Sequence, residues 1–262
     1  MTSCRKRMYA LSICGLILLA VFIGCARQDQ PQSAAAEQEE ADPVPEPEPS
    51  FVYSAENLAG LEKYVVPCDA QEIDLAIPVG EIARALEDSV LLYNVKPLTD
   101  CSGIFHRVLH AMQQRCPQYP TPDVAAWRDS RDLAQWYHER NELILVEDAV
   151  ASADLIKPGA VLFYGQRDSV YKNFEAEELF QPRTGINHVG VVVAVTKNDS
   201  GQVESYRLFH GHGSTGKTAA SITDYHWRVP TRPAYPPFGN GREQWVAFAL
   251  LVNPSGLLMT AK

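Results

Sequence analysis

The sequence predicts an α+β domain in which helices pack on one face of an antiparallel sheet. Segments with helical spacing of apolar residues come first, between residues 81 and 143, and segments rich in Val, Phe and Tyr follow, between residues 160 and 252. Helices and strands that occupy separate parts of a chain are typical of α+β domains. The chain has 262 residues, of which 46% are hydrophobic, so it can build a sizeable core.

The predicted helices lie in the first half of this domain. Apolar spacing predicts one helix over residues 81–93 and a second that starts at Cys101, where Thr99 and Asp100 are suitable N-caps. On a helical wheel Cys101 lies within about 10° of the centre of the second helix's apolar face, so its thiol should face the domain. Residues 130–143 are rich in helix formers and predict a third helix.

The predicted strands lie in the second half. A turn at Lys157-Pro158-Gly159 leads into the first strand, and Asn198-Asp199-Ser200-Gly201 joins the second strand to the third as a hairpin. The four strands are predicted at residues 160–164, 188–195, 203–209 and 245–252.

The first 24 residues have the pattern of a secretory signal peptide. Arg5, Lys6 and Arg7 precede an uncharged apolar run over residues 8–24. The run is near the lower limit for crossing a bilayer, so a permanent transmembrane anchor is the alternative. The run ends at Phe22-Ile23-Gly24-Cys25, which resembles a bacterial lipobox, and this resemblance implies lipidation of Cys25. Because Ala26 follows Cys25, it also implies the outer membrane of a Gram-negative bacterium.

The remaining N-terminal residues divide into two segments before the folded domain. Residues 25–50 are rich in Pro and Glu, so they are predicted to form a disordered tether that reaches roughly 80 Å when extended. Residues 51–80 are too short for a second module and are predicted to wrap on the domain, which spans residues 81–262.

Charge and cysteine usage exclude several classes of partner and cofactor. The formal net charge is −9, whereas binding to nucleic acid depends on clustered Lys and Arg, so no nucleic acid partner is expected. The six cysteines include no CxxC pair of the kind that zinc sites use. We therefore predict no metal and no other cofactor.

Cys101 occupies a predicted helix N-terminus, which is a position that activates thiols. Unpaired N–H groups and the helix dipole favour the thiolate, and a nearby imidazolium adds to this effect, so the thiol pKa is expected to be lowered. The alternative is a buried structural cysteine, which is the more common case on helix position alone.

Three motifs in order resemble the NlpC/P60 family of cell-wall cysteine peptidases. They are Asp100-Cys101-Ser102-Gly103 at a helix start, Lys157-Pro158-Gly159 before a strand, and the strand start at residues 187–192 with the sequence NHVGVV. The resemblance covers about residues 80–230. It implies a papain-like core, in which the helix that carries the cysteine packs against the strand that carries the histidine.

The resemblance also implies a role for each matching residue. Cys101 would be the nucleophile and His188 the general base. A polar residue of the next strand would orient the imidazole; His210 matches this position, and His212 is the alternative because both point to the same side of an extended strand. Tyr93 and Ser102 are assigned to the oxyanion and substrate region, although Tyr93 is equally well explained as the last buried residue of a helix.

The implied activity is that of a thiol protease of the bacterial cell wall. The resemblance implies a lipid-anchored hydrolase that faces the periplasm and cuts peptidoglycan stem peptides between D-glutamate and a diamino acid. One alternative is a related cysteine amidase or acyltransferase, and another is a non-catalytic wall-binding lipoprotein. The sequence does not identify a protein activator.

Four further features carry weaker expectations. His106 and His110 are expected at the surface, and Cys68 and Cys116 are candidates for a disulfide bond. The segment at residues 165–186 is longer than the loop that often joins these two strands in the family. It either borders the cleft or forms a surface excursion without a role. Residues 224–227 either line a groove or pack as an aromatic loop.

Overall fold

The computed structural model describes residues 74–227 and 235–253, which form an α+β domain with a six-stranded antiparallel sheet. Predictions for residues 1–73, which include Cys25, Cys68 and the tether, lie outside the described residues. No helix in the described part is both long and apolar enough to cross a bilayer. The elements are α1 (Ala76–Asp88), α2 (Cys101–Arg115), α3 (Ser130–Glu139), β1 (Ile144–Leu145), β2 (Ala160–Tyr164), α4 (Ala176–Leu179), β3 (His188–Lys197), β4 (Val203–His210), β5 (Ser221–His226) and β6 (Trp245–Leu250).

The sheet has the strand order β1-β6-β2-β3-β4-β5, and each neighbouring pair is antiparallel. The four predicted strands are confirmed as β2, β3, β4 and β6, and β3 lies inside the sheet between β2 and β4. β1 and β5 were not predicted from the sequence. β1 has only two residues, and β5 is a half-exposed edge strand without a run of buried apolar residues, so neither has a strong local signal.

Three predicted helix boundaries are wrong. α1 begins at Ala76 instead of residue 81, because the Asp74 carboxylate accepts the Ala76 N–H at 2.9 Å and Pro78 fits the first turn, where its missing N–H is not needed. It ends at Asp88 instead of residue 93, because Val90 follows with a φ of 51°, outside helical geometry. α3 ends at Glu139 instead of residue 143, and Asn141 then takes a φ of 56° that ends helical geometry.

α2 starts at Cys101 as predicted, and Asp100 is its N-cap. The Asp100 carboxylate accepts the Gly103 N–H at 2.8 Å, whereas the Thr99 hydroxyl donates to the Lys96 carbonyl in the preceding turn at 2.8 Å. Of the two residues proposed as caps, Asp100 therefore caps the helix and Thr99 closes the turn before it.

The predicted surface position of His106 is also wrong. Its side chain is 4% exposed, and its Nε2 forms a 2.8 Å hydrogen bond with the Trp127 carbonyl. The helical wheel gave the correct direction relative to the sheet, but the chain between α2 and α3 covers that side of the helix. His110, one turn further on, is exposed as expected.

The core has two parts, one on each face of the sheet. On one face the helices pack against alternating residues of β3 such as Val189 and Val191, which confirms the predicted layer of helices. The other face includes Leu162, Tyr164 and Trp245, and it is covered by the segment around Ile156. The site described below lies where β3 begins, between these two layers.

The 165–186 segment is packed into the domain. Phe174 and Leu179 are buried in the same core as the helices, and Phe180 packs partly against it, with its ring 5.5 Å from that of His138 in α3. Most other residues of the segment are exposed, so the structure anchors it on the domain without deciding between the two interpretations. Cys116, at the end of α2, takes part in a disulfide bond, and its predicted pairing with Cys68 stays a prediction.

Candidate active site

Cys101 lies at the junction of three elements: the start of α2, the start of α3 and the start of β3. Its sulfur is 3.4 Å from the Ser130 Oγ and 3.8 Å from the carbonyl oxygen of Asn187, the residue before His188. The residue is 8% exposed and its thiol is free. The inward direction predicted from the helical wheel is therefore confirmed.

His188 and His210 form a buried pair on neighbouring strands. The His188 Nε2 and the His210 Nδ1 are 2.7 Å apart, and the two residues are 6% and 2% exposed. Gly190 makes this pairing feasible, because a Cβ at this position would lie 3.1 Å from the His210 Cβ and 2.8 Å from the Leu208 Cγ. The glycine of the NHVGVV motif thus leaves room for the second strand.

His212 has a different environment. Its ring stacks on that of His210, with centroids 4.4 Å apart, and its Nε2 lies 2.8 Å from the Ser221 Oγ. Of the two alternatives that the sequence left open, His210 is the residue that hydrogen bonds to His188.

The structure does not join the thiol and the imidazole by a hydrogen bond. Within the described residues, the hydrogen bonds of the Cys101 sulfur go to Ser130 and the Asn187 carbonyl, and that of the His188 ring goes to His210. The sulfur contacts the backbone next to His188, so the thiol and the imidazole lie in the same part of the site without a hydrogen bond between them. Catalytic hydrogen bonds of unliganded sites commonly tighten only when substrate binds.

The expected lowering of the Cys101 pKa is wrong. Burial raises the pKa of the thiol above its ordinary value, and the charge of Asp100 raises it further. The Ser130 hydroxyl and the backbone N–H groups of Ser102 and Val189 oppose this shift. The helix dipole does not prevail, because burial disfavours the charged thiolate and the Asp100 carboxylate adds negative charge at the same helix end.

Both imidazoles of the pair are held neutral. Burial, with the charge of His212, lowers the pKa of His188 to about 3. Burial also lowers the pKa of His210 well below its ordinary value, and the charges of His188 and His212 add to this. The resting site therefore combines a neutral thiol with two neutral rings, and not a thiolate with an imidazolium.

Arg128 borders the N-terminus of α2 and was not predicted from the sequence. Its Nη2 lies 3.0 Å from the Asp100 carboxylate, and its Nη1 donates to the Ser102 Oγ at 2.8 Å. Ser102 is 2% exposed, so its hydroxyl is committed to this contact and does not face a substrate. The ion pair is partly exposed, which limits its contribution to stability to about 1 kcal/mol or less.

Tyr93 lies close to this cluster but outside any helix. Burial raises the pKa of its phenol to about 12, and negative charges of Cys101, Asp100 and Glu243 act in the same direction. Its N–H donates to the Thr218 carbonyl at 2.7 Å. Because α1 ends at Asp88, Tyr93 is not the last residue of a helix, and its assignment to the oxyanion region stays a prediction.

Residues 224–227 separate into different environments. Tyr225 stacks on Tyr206 with ring centroids 5.3 Å apart and lies 3.4 Å from the His210 Nε2, whereas Trp227 is 40% exposed. Tyr225 thus belongs to the surroundings of the histidine pair.

Comparisons with known proteins identify no relative of this chain. A scan against protein-family models, a search of curated proteins and a search of solved structures each returned no match. In the described part of the chain, no group of three or more His, Cys, Asp and Glu side chains has an arrangement able to hold a metal ion.

Proposed function

We propose that the protein is a cysteine hydrolase of the NlpC/P60 type, with a papain-like core and with Cys101, His188 and His210 at its active site. The observation that carries the proposal is the arrangement at the start of β3. A buried thiol on the first residue of a helix contacts the backbone beside His188, and His188 bonds to His210 at 2.7 Å. Nucleophile, base and orienting residue are the three parts of a cysteine peptidase site.

The proposed reaction is acyl transfer through a thioester. His188 takes the proton of the Cys101 thiol as the sulfur attacks the carbonyl carbon, and the backbone N–H groups near the sulfur stabilise the negative charge that develops on oxygen. His188 then gives the proton to the leaving amine, the C–N bond breaks and the thioester remains. Water, deprotonated by His188, hydrolyses the thioester and restores the thiol.

The resting protonation state sets a requirement for this reaction. A neutral thiol with a raised pKa is a poor nucleophile, and a His188 pKa of about 3 makes the ring a weak base. Entry of a polar substrate would replace part of the apolar environment of both groups, so proton transfer is expected to occur with the substrate bound.

We propose peptidoglycan stem peptides as the substrate, with cleavage between D-glutamate and a diamino acid. This part rests on the family resemblance, as does the proposed anchoring through lipid on Cys25 in the outer membrane, facing the periplasm. The intact mass of the mature protein tests the anchor, because lipidation of Cys25 adds acyl mass and sets the first residue.

Digestion of purified peptidoglycan tests the activity. The wild-type protein is expected to release new amino termini that mass spectrometry assigns to one bond of the stem peptide, and Cys101→Ala is expected to release none. Transfer of the acyl group to an added amine, instead of water, would favour an acyltransferase.

A non-catalytic wall-binding protein is the second candidate, and one observation favours it. The Cys101 thiol is hydrogen-bonded to Ser130 and carries a raised pKa, as an inert buried cysteine does. If the wild-type protein and Cys101→Ala bind peptidoglycan equally and neither cleaves it, this second function replaces the first.

A further inference from the structure

A chain of hydrogen bonds continues from His210 away from His188. The His210 Nε2 lies 3.4 Å from the Tyr225 hydroxyl, which lies 2.6 Å from the Asn240 Oδ1. The Asn240 Nδ2 lies 2.6 Å from the Glu243 Oε2. Two side chains, Tyr225 of β5 and Asn240 of the turn before β6, thus connect the Glu243 carboxylate to the histidine pair.

The donor and acceptor of each bond follow from the carboxylate end. Burial raises the pKa of the Glu243 carboxyl, and the two amide donors that reach its oxygens, Asn240 at 2.6 Å and Asn187 at 3.4 Å, oppose this shift. In the structure both amides donate to the carboxyl group, which acts only as an acceptor when it is ionised. Asn240 must therefore turn its Nδ2 to Glu243 and its Oδ1 to Tyr225. Tyr225 then donates its proton to Asn240.

The orientation of the Tyr225 hydroxyl determines the tautomer of His210. With its proton committed to Asn240, the Tyr225 oxygen presents only lone pairs to the His210 Nε2, so this nitrogen is expected to carry hydrogen. The Thr223 Oγ1, 3.1 Å from the same nitrogen, accepts in this arrangement as well. The His210 Nδ1 is then an acceptor.

The same logic extends to His188. Since the His210 Nδ1 accepts across the 2.7 Å contact, the hydrogen must belong to the His188 Nε2. The His188 Nδ1 consequently keeps its lone pair, and no hydrogen bond within the described residues occupies it. This is the tautomer that a general base needs.

The opposite arrangement is chemically available without the chain. The Thr223 hydroxyl rotates, so it can donate to the His210 Nε2 as readily as it accepts. His210 would then donate from Nδ1 to the His188 Nε2, and hydrogen on the His188 Nδ1 would remove the base. The Tyr225 oxygen, which can only accept from His210, selects the first of these two tautomer arrangements.

The chain is held rigidly. Asn240 and Glu243 close a tight turn through two reciprocal backbone hydrogen bonds of 3.0 Å, in which Gly241 has a φ of 61°. Tyr225 is stacked on Tyr206. Through the Asn187 side chain, Glu243 also steadies the residue whose carbonyl contacts the Cys101 sulfur.

We propose that Tyr225, Asn240 and Glu243 are positioning residues that fix the tautomer of His210 and thereby keep the His188 Nδ1 free as the catalytic base. The proposal deepens the proposed function, because the tautomer matters for catalysis only if His188 is the base. The arrangement itself is a property of the folded protein and is measurable without substrate.

The test is ¹⁵N NMR of the full chain labelled at its seven histidines, with signals assigned by single His→Gln variants. In the wild type we expect hydrogen on the Nε2 of both His188 and His210. Tyr225→Phe should shift a measurable fraction of His188 to the Nδ1–H form and lower kcat/KM on peptidoglycan roughly 10- to 100-fold, by analogy with the outer partners of metal-ligating histidines.

A conservative pair and a matched control separate positioning from stability. Glu243→Gln keeps an acceptor for Asn240 and should retain the wild-type tautomer, whereas Glu243→Ala frees the Asn240 amide to turn and should shift it. Tyr206→Phe removes a buried hydroxyl from the same ring stack but outside the chain, so it should lower the thermal midpoint without changing the tautomer.

The NMR result decides the proposal. Unchanged His188 signals in both Tyr225→Phe and Glu243→Ala would overturn it, even if activity fell, because the loss would then be structural. If the wild-type protein cleaves nothing, the proposed hydrolase fails, but the tautomer shift still tests the hydrogen-bond chain.

Discussion

The two halves of the candidate site are built in different ways. The helix start of the cysteine half is local, because Asp100 caps α2 and Cys101 is its first residue. Arg128 and Ser130, which complete this half, lie 26 and 29 residues further along the chain than their partners Ser102 and Cys101. The histidine half is non-local, because β3, β4, β5 and the turn before β6 each contribute one or more members. A short motif can specify the helix start that carries Cys101, whereas the histidine half depends on the register of the sheet.

The halves also differ in how their polar groups are satisfied. The thiol has only weak hydrogen-bond partners, and burial raises its pKa. Its deprotonation therefore requires a change in its surroundings. The histidine pair has a short hydrogen bond and a continuous chain of partners that fixes its orientation. We infer that the histidine half is preorganised and that the cysteine half is the part that substrate completes.

The largest expected effect comes from removing either the proposed nucleophile or the proposed base. Cys101→Ala and His188→Ala should each lower kcat/KM by at least about 10⁴-fold, because no thioester forms without the thiol or its proton acceptor. Release of stem-peptide termini measures this. The double variant should be no worse than either single one.

Folding must be checked separately for these variants. Circular dichroism and thermal unfolding should show that Cys101→Ala keeps the fold, since it removes one sulfur atom and its two weak hydrogen bonds, to the Ser130 hydroxyl and the Asn187 carbonyl. A well-folded Cys101→Ala protein that cleaves at the wild-type rate would rule out the mechanism.

Replacement of His210 should have a smaller effect that depends on the replacement. His210→Ala removes the acceptor for the His188 Nε2 and should lower kcat/KM roughly 100- to 1000-fold. His210→Asn or His210→Gln offers an amide oxygen and should retain more activity. His212→Gln is the matched control, because His212 stacks on His210 but does not bond to His188. Equal losses in the His210 and His212 variants would contradict the assignment.

The cysteine half of the site was easier to predict than the histidine half. Consecutive residues carry the signals for the cap at Asp100, for the apolar spacing after it and for the position of β3. The helix start and the inward direction of the thiol could therefore be predicted. Glu243 has no such signal, because only the register of β6 and the turn before it bring it near His210. Where a local rule was applied alone, burial by distant parts of the chain made the prediction wrong, as for His106 and the thiol pKa.

The buried histidines should make stability depend on pH. The pKa of His188 is about 3 in the folded protein and about 6.5 in the unfolded chain, so the unfolded chain binds more protons between these values. The contribution to stability is complete above pH 6.5 and is lost as pH falls towards 3. We expect the free energy of unfolding to drop by on the order of a few kcal/mol over this range.

Chemical denaturation at several pH values measures this dependence. His188→Gln should show a shallower decline than the wild type between pH 6.5 and pH 4, because one buried group no longer takes up a proton on unfolding. A decline as steep in His188→Gln as in the wild type would assign the pH dependence to other groups.

The smallest expected effects come from adding one methyl group at two glycines, Gly190 in β3 beside the histidine pair and Gly80 in α1. At Gly190 a Cβ would lie 2.8 Å and 2.9 Å from two Leu208 carbons and 3.1 Å from the His210 Cβ, so Gly190→Ala should lower the free energy of unfolding by about 1–3 kcal/mol. At Gly80 a Cβ would have no neighbouring atom within 4 Å, and its position inside α1 favours alanine by about 0.5–1 kcal/mol.

Gly80→Ala should therefore stabilise the protein and leave kcat/KM unchanged. Gly190→Ala should lower both the free energy of unfolding and kcat/KM, since the strain falls on the strand that holds His188. Urea unfolding and cleavage assays on both variants measure these effects, and a Gly190→Ala protein as stable and as active as the wild type would show that the histidine half tolerates displacement.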